Sequence, residues 1–71
     1  MMKQYRLGST DMVSAPGMVR WAINGAAFKK DRAAMVNIIA KTWGVPTDAA
    51  VALLTQQVPY TIENETVVFD Y

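Results

Sequence analysis

The 71 residues carry a formal net charge of +1 and 52% hydrophobic side chains, enough for one small domain spanning 1–71. The absence of cysteine and histidine excludes disulfides, thiol chemistry, Cys/His zinc sites and histidine general bases, so neither a metal nor a cofactor is expected. No stretch approaches the roughly 20 apolar residues of a membrane span, and "MMKQYRLGST" has no apolar run of signal-peptide length. The expectation is a soluble, cytoplasmic protein.

Residues 3–7, "KQYRL", alternate with period two and predict a short strand. Gly8 to Asp11 read as a loop. Ser14-Ala15-Pro16 marks a helix start, because a serine oxygen can accept from an orphaned backbone N–H and proline is tolerated in the first turn. Val19, Ala22, Ile23 and Ala26 recur at helical spacing. Gly25 weakens the far end, so this helix should stop between Gly25 and Phe28. Asp31 suits the N-cap of a second helix. There Met35, Val36, Ile39, Ala40 and Trp43 form an apolar stripe, and Gly44 is the natural stop. Pro46-Thr47-Asp48 opens a third helix with apolar Ala50, Val51, Leu53 and Leu54, and Pro59 bars its extension.

In the tail "PYTIENETVVFDY", a two-residue turn at Asn64-Glu65 sets Ile62 opposite Val67 and Tyr60 opposite Phe69, all on one face. Thr61, Glu63, Thr66 and Val68 then take the other face. Asparagine tolerates the left-handed backbone of such a turn, although the favoured Asn-Gly is absent. An isolated hairpin is barely stable in water, so its apolar face must lie on the helices. The basic first strand can pair with the acidic hairpin to complete a three-stranded sheet. The fold class is α+β, with a core of Val19, Ile23, Val36, Ile39, Trp43, Leu53, Leu54, Tyr60, Ile62, Val67 and Phe69.

The charge is strongly polarised. Residues 1–41 hold all seven bases (Lys3, Arg6, Arg20, Lys29, Lys30, Arg32, Lys41) and two acids, a balance of +5. Residues 42–71 hold no base and four acids (Asp48, Glu63, Glu65, Asp70), a balance of −4. A domain this small buries only about 60% of the surface its unfolded chain exposes, so part of its apolar surface stays exposed or is covered by a partner or a second copy.

The segment "IIAKTWGVPTDAAVALL" has helix-turn-helix spacing. Ala40 is the small residue where two helices cross, and Gly44 accepts the positive φ of the turn. Ile39, Trp43, Val45, Ala50 and Leu53 can lock the crossing. With the hairpin as a wing, Val36 to Phe69 resembles the winged helix-turn-helix family. The resemblance implies duplex DNA binding through Thr47, Asp48, Ala49, Ala52, Thr55 and Gln56. Of these only Gln56 has a side chain suited to base edges, and the acids around that face oppose phosphate binding. A second nucleic-acid route is a basic patch of Arg20, Lys29, Lys30, Arg32 and Lys41. The stretch Trp43 to Phe69 is also similar to small proteins carried by phages, plasmids and genomic islands, which commonly act by binding.

Six scattered carboxylates and serines without a histidine base carry no catalytic constellation, so no enzyme is expected. Met18, Trp21 and Phe28 make a second apolar face on the first helix, with the composition of an interface core. Ile38 and Val68 likewise fall off the main apolar face of their elements. The hairpin edge at Val67 to Phe69, guarded only by Asp70, is a third association surface. The expected function is protein–protein contact, with a host protein or a second copy (a homodimer) as partner. The alternative is a DNA-binding regulator.

Overall fold

The strand, three helices and hairpin form in the expected order. The computed structural model describes residues 2–27 and 31–71. Its elements are β1 (Gln4–Gly8), α1 (Ala15–Ala27), α2 (Arg32–Trp43), α3 (Thr47–Leu54), β2 (Tyr60–Glu63) and β3 (Thr66–Asp70). The fold is α+β: three helices beside a three-stranded antiparallel sheet of order β1-β3-β2. Among the described residues, no helix is long and apolar enough to cross a membrane.

The hairpin has the expected register, with Tyr60 opposite Phe69 and Ile62 opposite Val67. Its turn residues Asn64 and Glu65 take φ of 49° and 62°, as a tight two-residue turn between right-twisted strands requires. β1 lies along the other side of β3, with Tyr5 opposite Phe69 and Leu7 opposite Val67. Backbone bonds between Lys3 and Tyr71 (2.8 and 2.9 Å) carry the ladder one step further. Two apolar rows therefore cross the inner face: Tyr5–Phe69–Tyr60 and Leu7–Val67–Ile62. The Tyr5 and Phe69 rings stack at 5.4 Å.

α1 covers β3 and contacts both other helices. Ser14 caps it, its Oγ accepting from Gly17 N–H at 3.3 Å. Asp31 caps α2 by accepting from Ala34 N–H at 3.2 Å, and Gly44 ends α2 in the left-handed conformation, φ 66°. The helix C-terminus is tied to the sheet, because the Trp43 indole N–H donates to the Gly8 carbonyl at 2.8 Å. α3 stops five residues before Pro59. Gln56 N–H reaches Leu53 C=O and Gln57 N–H reaches Ala52 C=O, with Gln56 left-handed at φ 59°. That bonding closes a helix without help from proline.

Of the expected core, Val19, Ile23, Val36, Ile39, Leu53, Leu54, Val67 and Phe69 are buried, and Trp43 and Tyr60 pack against it half-buried. Leu7, Ala15, Ala22, Met35, Val45, Ala49 and Ala50 join them. Ile62 does not belong: it is 40% exposed. It lies on the inner face but on edge strand β2, beyond the cover that α1 lays on β3.

Candidate functional site

The α1–α2 pair is built around one close fit. The end of the Met35 side chain occupies the space a Cβ on Gly25 would need. Gly25 is therefore more than a weak helix residue: its missing side chain admits Met35. Residues three and four apart share a helix face. Met18, Trp21 and Gly25 form one row on α1, and Met35, Ile38 and Thr42 form the matching row on α2. Trp21 lies one turn before Gly25 in the α1 row, and Ile38 one turn after Met35 in the α2 row.

Both of these apolar side chains face solvent: Trp21 is 50% exposed and Ile38 38%. Met18, in the same row, is half-buried against the core. Lys41, one turn beyond Ile38, and Arg20, adjacent to Trp21, are exposed. Phe28, Lys29 and Lys30 lie outside the described residues.

Val68 is not available as an interface residue, because it is only 6% exposed. It sits on the outer sheet face, but on the middle strand, with Arg6 opposite on one side and Thr61 on the other. Flanking side chains, including the apolar stem of an arginine, cover such a position. The apolar run Val67 to Phe69 is likewise no free edge, since β3 is paired on both sides; the free edges are β1 and β2.

The α3 face expected to meet DNA turns inward at its centre. Ala49 is 0% and Ala52 1% exposed, and only Thr47 and Asp48 are fully open along the helix. Ala40, Ala49 and Ala50 let the helices approach closely, so α3 sinks into the molecule. The two described bases of α2 do not converge either. Arg32 and Lys41 are nine residues apart on α2, which at 3.6 residues per turn puts them on opposite sides of it. Arg32 rims an open, mostly apolar groove of about 450 Å³ between α2 and α3, floored by Ala33, Val36 and Val51. Gln56 is exposed at the strained end of α3, beside a shallow cleft of about 480 Å³ that runs to Tyr60.

Compared with family models, with curated proteins and with solved structures, the chain has no match in any of the three.

Proposed function

We propose that this chain is a non-enzymatic binding protein that acts by protein–protein contact, through the α1–α2 seam that carries Trp21 and Ile38. An accessory or inhibitor that occupies a host protein is the role this fits. The observation that carries the reading is Trp21, half exposed in a domain whose Val19, Ala22 and Ile23, on the same helix, are fully or almost fully buried. Tryptophan brings a large rigid apolar area with one polar handle, and it is enriched among the residues that dominate binding energy. Ile38, 38% exposed in the corresponding row of α2, adds apolar surface, and the exposed Arg20, Asn24 and Lys41 are polar residues of the same two helices. An apolar centre with a polar rim is the usual anatomy of a protein interface. The inward turn of Ala49 and Ala52 removes support from docking through α3.

The test compares proteins retained by the immobilised wild-type chain with those retained by Trp21→Ala and Ile38→Asp variants of unchanged thermal unfolding. A partner held by the wild type and lost by both variants supports the reading. Retention of every partner by both variants overturns it. A parallel gel shift with mixed duplex DNA, at about 50 and 200 mM salt, reads out the alternative, for which binding must fall steeply between the two.

A further inference from the structure

The two edges of the sheet are unlike. On β1, Lys3 and Arg6 are exposed bases, and the Trp43 indole N–H already occupies the Gly8 carbonyl at 2.8 Å. Charges and cover of this kind blunt an edge against pairing. β2 carries no base, and its Ile62 is 40% exposed. We infer that β2 pairs antiparallel with β2 of a second copy, about a two-fold axis at Thr61, so that two three-stranded sheets become one.

Backbone phase sets this register. Lys3 and Tyr71 exchange both of their backbone bonds, and bonded and non-bonded pairs alternate along an antiparallel ladder. Tyr5–Phe69 and Leu7–Val67 are therefore bonded pairs, and Thr66 and Val68 turn their N–H and C=O groups toward Glu63 and Thr61 of β2. Tyr60 and Ile62 are left with N–H and C=O directed off the free edge. A two-fold axis at Thr61 sets Tyr60 of each copy opposite Ile62 of the other, and all of these groups are then used.

The side chains match in the same register. Tyr60 and Ile62 share the inner face, so an aromatic meets a β-branched residue twice, over the Ile62 surface that α1 leaves open. On the outer face Thr61 meets Thr61. Both kinds of cross-strand pair are stabilising. Glu63 falls opposite Pro59, not opposite its own copy. Four residue positions separate the two Glu63 residues, about 13 Å, beyond the roughly 8 Å Debye length at physiological salt. Pro59 alternates with Tyr60, so its missing N–H is not one that this edge needs.

Pairing β2 antiparallel with β1 of another copy fits less well. It would set Tyr60 and Ile62 against Gln4 and Arg6, apolar against polar, and would leave an edge open for further copies. The two-fold arrangement closes. A stable dimer buries about 800 Å² per partner, about a sixth of the 4638 Å² that this chain exposes. A four-residue edge covers less, so the dimer forms at high concentration only.

Sedimentation equilibrium from about 20 μM to about 1 mM, beside amide spectra of isotope-labelled chain over the same range, tests this. The mass is expected to rise from one chain toward two and no further, with half-association above about 100 μM. The Tyr60 and Ile62 amides should shift with concentration while the Trp21 indole N–H stays in place. Thr61→Lys sets two ammonium groups face to face on the axis and should weaken association about tenfold or more. Gln4→Lys, the same charge at an exposed position of the other edge, should leave it unchanged.

A single-chain mass at the highest concentration, with Tyr60 and Ile62 amides unmoved, overturns the inference. So does association that survives Thr61→Lys in a variant with wild-type amide dispersion. Mass that grows past two chains overturns the two-fold arrangement in favour of an open assembly. Concentration shifts confined to Trp21 and Ile38 move self-association to the helices and overturn it as well. The inference is independent of the binding role proposed for Trp21, which is read by partner retention.

Discussion

Ser9 holds three segments together through one oxygen. Its Oγ accepts from Ala15 N–H at 2.9 Å and donates to the Glu65 carbonyl at 2.8 Å, joining the exit of β1, the start of α1 and the hairpin turn. Ser9→Ala leaves both backbone groups without that partner. It should cost about 1–2 kcal/mol, read as a lower denaturation midpoint with an unchanged slope. Two other residues carry backbone strain. Glu65 and Gln56 are left-handed, φ 62° and 59°, where a side chain costs roughly 1–2 kcal/mol and glycine costs nothing sterically. Glu65→Gly and Gln56→Gly should each stabilise by about 0.5–1 kcal/mol after the added flexibility of the unfolded chain is subtracted, a rise of a few degrees in Tm. A Tm that stays level or falls in both variants would contradict the left-handed assignments.

Among the elements, α3 departs most from its sequence pattern. Its eight residues include five buried ones: Ala49, Ala50, Ala52, Leu53 and Leu54. Alanines off the leucine stripe suggest a solvent face, because a small side chain gives no sign of whether protein or water lies above it. Here protein lies above it. Ala49→Leu and Ala52→Leu should therefore overpack the helix and destabilise by about 1–3 kcal/mol. Asp48→Asn, at the open end, should stay within about 0.5 kcal/mol. If both leucine variants proved neutral in chemical denaturation, α3 would have to be exposed after all.

Across the whole molecule, the two tryptophans have opposite duties. Trp43 links α2 to the sheet through Gly8, whereas Trp21 stands half in solvent on the seam. Trp43→Phe removes a half-buried hydrogen bond and should cost about 1–2 kcal/mol. Trp21→Ala should cost below about 1 kcal/mol, as surface positions do. The fluorescence should divide the same way: Trp21 accounts for the water-exposed, quencher-accessible part of the emission, and a Trp21→Phe variant should lose it. If Trp21→Ala unfolded the domain, the residue would be structural and the proposal of an interface there would fall.

Signals that act within a few residues are legible in the sequence. Ser14 and Asp31 as caps, Gly44 as a left-handed stop and the Asn64-Glu65 turn with its register all follow from local backbone chemistry. The α+β order of elements follows from the change in apolar period along the chain. What covers each apolar face is decided elsewhere. Val68 was legible as an outward-facing residue, but only the placement of β3 between β1 and β2 buries it. Ile62 was legible as inward-facing, and only its place on an edge strand leaves it open. Trp21 could be set apart from the Val19–Ile23 stripe by spacing alone. Its exposure shows only in the packed molecule, where α1 lies against α2 and β3. Periodicity reports the direction a side chain takes from its own backbone; burial depends on a neighbour remote in sequence, and that neighbour is chosen by tertiary packing.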